Sequence, residues 1–211
     1  MPMPETNPLP LIHVVDDDES LRQALVRLLE AAGFEARGYA SAGDFLLQPV
    51  PDRPGCLLLD VRMPGPSGLE LQAALPDHGV GLPIIFMTGH ADVPTSVRAM
   101  KAGAVDFLEK PVQRQDLLDA VGRALRRDQL QRQERFDMAR LRERLVLLSA
   151  RERAVLEQVV AGRLNKQIAA ALDVSERTIK TLRAQGMDKL GVNSSAELGA
   201  MFERLRNDRQ G

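Results

Sequence analysis

The sequence predicts a doubly wound α/β domain on a five-stranded parallel sheet, followed by an all-α helix-turn-helix domain. Three observations carry that expectation. Over the first 125 residues short apolar runs alternate with amphipathic stretches, the pattern of parallel strands covered by helices. From 126 to 144 the chain turns to Arg, Gln and Glu with neither Gly nor Pro, as in a helical linker. From 145 to 211 every periodic segment reads as helix. The expected division is therefore 1–125, 126–144 and 145–211.

Strands are expected at 11–15, 35–39, 57–61, 84–88 and 104–108. The first, third and fourth are almost wholly apolar, as suits strands buried on both faces. Helices are expected between and after them at 20–32, 42–48, 67–75, 94–102 and 114–125. Ser20 and Ser67 are candidate N-caps, Pro94 suits a first helical turn, and Gly33 and Gly103 suit helix ends. Five strand–helix repeats put a binding crevice at the carboxyl edge of the sheet. In the linker, Leu130, Phe136, Met138, Leu141 and Leu145 are spaced too irregularly for a coiled-coil seam. Beyond it, helices are expected at 150–161, 165–172, 176–190 and 195–206, with Ser149, Ser175 and Ser194 near their starts.

Composition narrows the function. Apolar content of 44% and charged content of 27% are those of a globular chain, which argues against extensive disorder. No apolar run approaches the roughly 18 residues that cross a bilayer. The Pro-rich start, 1–10, lacks the basic and apolar regions of a signal peptide, so a cytoplasmic location without membrane attachment is expected. A single Cys56 excludes an internal disulfide and a cysteine zinc site. The net charge of −1 conceals an asymmetry: 10 basic against 17 acidic residues up to Leu125, then 18 against 12. A nucleic-acid partner is expected for the second half.

Asp16, Asp17 and Asp18 follow the first strand and Asp60 ends the third, so topology brings these carboxylates to one edge. Close like charges call for a cation, and Mg2+ is the hard, oxygen-seeking choice. Such an ion shields an incoming phosphoryl group while a carboxylate attacks it. Thr88 ends the fourth strand, offering a hydroxyl to a phosphoryl oxygen, and Lys110 follows the fifth, offering a point charge. Lys110–Pro111 is a candidate cis bond. His13, His78 and His90 lack an evident nucleophile partner, and nothing resembles a dedicated general acid. An Mg2+-dependent hydrolase with an Asp nucleophile is the lesser alternative, and the chain is not expected to be an enzyme.

The motifs VVDDD, LLLDVRMPGPSGLEL, MTGHADVP and MKAGAVDFLEKP make residues 9–125 resemble the response-regulator receiver family, most closely its FixJ subfamily. The resemblance implies a flavodoxin-like fold and a phosphoacceptor at Asp60. It implies Mg2+ held by Asp16, Asp17 and Asp60 with the Arg62 backbone carbonyl, Asp18 lying outside. Thr88 and Lys110 correspond to the switch hydroxyl and phosphate-contacting lysine, and Phe107 to the switch aromatic. Ala91 stands where the subfamily usually has Gly.

In the C-terminal half a short helix, a turn through Asp173, Val174 and Ser175, and a longer helix fit helix-turn-helix geometry. Ile168, Ala169 and Leu172 make the inner stripe of the first helix; Ile179, Leu182, Gly186 and Leu190 make that of the second. Arg177, Lys180, Thr181, Arg183 and Ala184 are expected outward. The motifs L-S-x-R-E-x-x-V-L, N-K-Q-I-A, S-x-x-T-I-K and M-D-K-L-G-V make 146–206 resemble the LuxR-type DNA-binding domain. By that resemblance Lys180, Thr181 and Ala184 face bases, while Lys166, Thr178, Arg183 and Lys189 meet phosphates. The last helix would serve dimerisation. Leu182 replaces a common His, and Gly186 replaces a buried Val or Ile, which suggests a cavity and a less rigid helix.

The expected function is phosphorylation-dependent DNA binding. A cognate histidine kinase donates to Asp60, a homodimer forms, and promoter DNA and RNA polymerase are the partners. A regulator that binds DNA regardless of phosphate is the alternative, and a pure protein-interaction module would show no DNA affinity.

Overall fold

The computed structural model describes residues 8–89 and 92–207. The start of the chain up to Asn7, His90 and the Ala91 departure lie outside them. The strands are β1 (Leu11–Val15), β2 (Glu35–Tyr39), β3 (Gly55–Asp60), β4 (Ile84–Thr88) and β5 (Asp106–Glu109), in the parallel order β2-β1-β3-β4-β5. Helices α1 (Glu19–Ala31), α2 (Ala42–Leu46), α3 (Gly68–Ala74), α4 (Val93–Lys101) and α5 (Arg114–Val146) accompany them. A 3-10 turn at Leu75–His78 follows α3.

The sheet is a sandwich filling because its strands alternate between two cores. Ile12, Val14, Leu58, Ile85 and Met87 pack with Leu25 and Leu29 of α1 and Leu117, Ala120, Val121 and Ala124 of α5. Val15, Leu57, Leu59 and Phe86 pack on the other face with Phe45, Leu71 and Ala99. The register sets Val15 beside both Leu59 and Tyr39, so Asp16 and Asp60 emerge at one edge.

Several boundaries differ from expectation by a few residues, and three of them have a clear local reason. Strand β3 starts at Gly55 because that residue already pairs with Leu11 of β1; a Cβ there would lie 2.3 Å from the Leu11 carbonyl oxygen, so only glycine admits the approach. Strand β5 starts at Asp106 because the amides of Gly103 (φ +94°) and Ala104 turn back to Met100 and Ala99, closing α4. Asp18, not Ser20, caps α1: its Oδ1 accepts the Leu21 amide at 3.0 Å, leaving Ser20 inside the first turn. Ser67 does cap α3, in a capping box with Glu70. The Lys110–Pro111 bond is cis. Cys56 is buried and free, and among the described residues no helix is long and apolar enough to cross a membrane.

Helix α5 runs unbroken through the expected linker, and the chain divides within it into two compact units, one ending at Arg132 and one beginning at Gln133. The second unit adds α6 (Ala150–Val160), α7 (Asn165–Leu172), α8 (Glu176–Leu190) and α9 (Ser195–Asn207). Its core gathers Val155, Leu156, Ile168, Ile179, Leu190, Leu198 and Met201. Leu172 departs from the expected inner stripe and is 39% exposed, since α7 ends there as Asp173 turns left-handed at φ +51°.

Gly186 overturns the expectation of a cavity. It is buried, and a Cβ would meet Leu156 Cδ1 at 2.9 Å and Cγ at 3.3 Å, so α6 already occupies the space. Gly186→Val is therefore expected to lower the stability of this unit by about 1–2 kcal/mol, overpacking outweighing the small gain in helix propensity. Urea unfolding of the full chain measures it, and the loss should shrink in a Leu156→Ala background. A stabilised Gly186→Val variant would contradict the filled site.

Candidate functional site

The site at the carboxyl edge begins with the ends of the strands. Asp16 is fully buried, Asp60 nearly so, and Asp17 is exposed. One carboxylate oxygen from each lies within 4.8 Å of the others. Lys110 Nζ donates to Asp16 Oδ2 at 2.7 Å and to Asp60 Oδ2 at 2.8 Å, joining residues 94 and 50 positions away. The Lys110 amide is held by the Thr88 carbonyl at 2.7 Å, which fixes where the side chain leaves the backbone. Thr88 is buried at the end of β4, and the Arg62 amide donates to Asp60 Oδ1 at 3.3 Å.

Burial raises the Asp16 carboxyl above its ordinary range, against the opposing hydrogen bond from Lys110. Burial would lower the Lys110 ammonium, but its hydrogen bonds to Asp16 and Asp60 outweigh that and raise it. Three carboxylates against one ammonium leave an excess of negative charge when all are ionised. That donor set fits a hard divalent cation with oxygen ligands. Asp18 is committed elsewhere, as the cap of α1. Phe107 is half-buried on the sheet face beside Phe86, their ring centroids 6.2 Å apart. His13 lies in the core, its Nδ1 2.9 Å from the Tyr39 hydroxyl, and burial with Arg37 and Arg53 nearby lowers its pKa to about 4.

In the second unit α7 and α8 meet across Asp173, Val174 and Ser175. Ser175 caps α8: its Oγ accepts the Thr178 amide at 3.1 Å and lies 2.8 Å from the Thr178 hydroxyl. Arg177, Lys180, Thr181 and Ala184 are exposed on α8, and Lys166 is exposed on α7. Arg183 departs from the outward set. It is half-buried, with Nη1 donating to Asn165 at 3.4 Å and Nη2 to Ser195 at 2.7 Å. Lys189 Nζ donates to Glu152 at 2.7 Å. That bond and those from Ser149 hold the Glu152 carboxyl down to about 2.

Residues 12–122 match the family described as response regulator receiver domain, and residues 146–202 match that of bacterial regulatory proteins of the luxR family. The chain belongs to the response-regulator family. It is 44% identical over 195 residues to Nodulation protein W of Bradyrhizobium diazoefficiens, covering 92% of this chain and 86% of that one. It is also 44% identical to the transcriptional regulatory protein FixJ of Azorhizobium caulinodans, covering 94% and 93%. The solved structure of response regulator StyR superposes with a TM-score of 0.77 at 45% identity, covering 93% of this chain and all of that one. The chain is a two-component transcriptional regulator: its receiver implies a histidine kinase partner, and its LuxR-type domain implies DNA.

In this response regulator the structure gathers Asp16, Asp17, Asp60 and Lys110 into one cluster, with Thr88 at the adjoining strand end. It engages Arg183 and Lys189 within the fold, where sequence reasoning expected them at phosphates. Two polar residues went unnoticed in the sequence. Glu152 carries a signal in the S-x-x-E capping box that begins at Ser149. Arg22, whose guanidinium reaches the Asp16 carbonyl, carries none.

Proposed function

We propose that this response regulator accepts a phosphoryl group on Asp60 from a phosphohistidine of its kinase and then binds promoter DNA more tightly. An Asp60 oxygen forms the new bond to phosphorus as the bond from phosphorus to the imidazole nitrogen breaks, leaving an acyl phosphate on the chain. Lys110 and Thr88 contact the phosphoryl oxygens. Asp16, Asp17, Asp60 and the Arg62 carbonyl would hold Mg2+, which would shield the negative phosphoryl oxygens from the carboxylates. The observation that carries this reading is the Lys110 ammonium shared by two buried carboxylates at 2.7 and 2.8 Å, on a chain that also bears a helix-turn-helix.

Phosphorylation draws Thr88 inward, repacks Phe107 and favours a homodimer. The receiver is residues 1–125, the linker helix 126–144 and the output domain 145–211, with RNA polymerase as a further partner at the promoter. Lys180, Thr181 and Ala184 face bases. Lys166 and Thr178 meet phosphates, and Arg183 and Lys189 do so to the extent that their internal bonds allow. Binding of the full chain to specific and scrambled duplexes, with and without phosphodonor and Mg2+, tests this. Phosphodonor is expected to raise specific affinity. Lys180→Ala should weaken the specific duplex by roughly 1–3 kcal/mol, and Lys166→Ala should weaken both while lowering the salt slope by about one. Affinity indifferent to phosphodonor would favour the phosphate-independent regulator, and equal losses on both duplexes for Lys180→Ala would remove its base-reading role.

A further inference from the structure

The acidic turn after β1 is held by a residue that touches no carboxylate. Arg22, in the first turns of α1, donates from Nη1 to the backbone carbonyl of Asp16 at 2.6 Å. Among the described residues no carboxylate pairs with it. The Asp16 amide meanwhile donates to the Tyr39 carbonyl at 3.2 Å, and Asp16 Oδ1 accepts the Asp18 amide at 3.0 Å. Both peptide groups of Asp16 are thereby fixed, and Asp17 follows directly.

The path of Arg22 depends on β2. A Cβ at Gly38 would lie 3.0 Å from Arg22 Cγ and 3.2 Å from Cδ, so the arginine stem crosses the strand where there is no side chain. Gly38 has no positive φ to explain it; the close approach does. Arg22 and Gly38 form one device: a slot in β2, and a guanidinium passing through it to the turn that carries Asp16 and Asp17.

We infer that Arg22 is a positioning residue for the Mg2+ site, holding the Asp16–Asp17 turn in ligating geometry through its bond to the Asp16 carbonyl. This rests on reading Asp16, Asp17 and Asp60 as the cation site. Its sign separates it from a charge effect. A cation beside the site opposes Mg2+, so electrostatics alone predicts that deleting Arg22 tightens binding. Positioning predicts the reverse, since losing an outer partner of a ligand loosens its aim.

The test is Mg2+ titration of the full chain by calorimetry, repeated with Mn2+ as a paramagnetic probe, alongside thermal melts in chelator. Arg22→Ala is expected to weaken binding about tenfold, the low end for outer partners of metal ligands. Gly38→Val, which keeps the charge but closes the slot, should weaken it comparably, and the double variant no more than either alone. Arg22→Lys, with a donor on a shorter reach, should fall between. These losses are expected while the melts in chelator stay near wild type. Unchanged or tighter binding by Arg22→Ala overturns the inference, as does weakening only in proportion to a lowered melt. Wild-type chain that binds neither ion overturns instead the reading of the cation site beneath it.

Discussion

Asp60→Asn is expected to abolish the phosphoryl incorporation shown by the wild-type chain with a small phosphodonor and Mg2+. The amide is nearly isosteric with the carboxylate, so the 3.3 Å contact from the Arg62 amide can persist and the fold should be kept. The variant loses the nucleophilic oxygen and one of the two carboxylates that share Lys110. Asp16 is no substitute nucleophile, because it is fully buried and held at both oxygens, by the Asp18 amide and by Lys110. Intact-mass measurement after incubation reads the outcome: one added group on wild type and none on the variant. Undiminished labelling would move the acceptor elsewhere.

Arg132→Ala is expected to lower the stability of the N-terminal unit by about 3 kcal/mol, the lower end for breaking a buried ion pair. Its partner Asp128 is fully buried in α5, accepting from Arg132 Nε at 2.8 Å and from the Gly55 amide at 3.1 Å on the same oxygen. The other oxygen, Oδ1, is buried without a hydrogen-bond partner, so the charge leans on Arg132. Arg132 also donates to Asp52 and to the Arg53 carbonyl, tying the middle of α5 to the loop before β3. Its quarter-exposed side chain is why the lower end applies. Adding Asp128→Asn should recover part of the loss, since a neutral amide oxygen still accepts from Gly55 without a stranded charge. Urea unfolding measures both, and a loss below about 1 kcal/mol for Arg132→Ala would place it among ordinary surface pairs.

The linker expectation shows where sequence reasoning stops. Residues 126–144 read as a helical linker because helix formers predominate and apolar residues are sparse, and the helix is there. Asp128 looks like any other polar position on it, yet it is the buried anchor of α5. Gly186 misleads in the same way. An isolated glycine on an apolar stripe suggests a void, and whether one exists depends on Leu156, thirty positions away on another helix.

Local chemistry alone was enough to specify the apolar strands, the caps at Ser67, Ser149 and Ser175, and the all-helical second half. Those features depend on residues within a turn or a pleat of one another, so periodicity and capping preferences report them directly. Parallel topology carried the argument one step further, to carboxylates converging at a shared strand edge. The partners were decided in three dimensions: Lys110 between Asp16 and Asp60, Lys189 on Glu152, Arg183 between Asn165 and Ser195, and Arg22 through the gap at Gly38. The stems of these cations are long and flexible, so local sequence does not fix where their charged ends go. Burial and packing of distant segments fixed these partners, and no pattern along the chain encodes that choice.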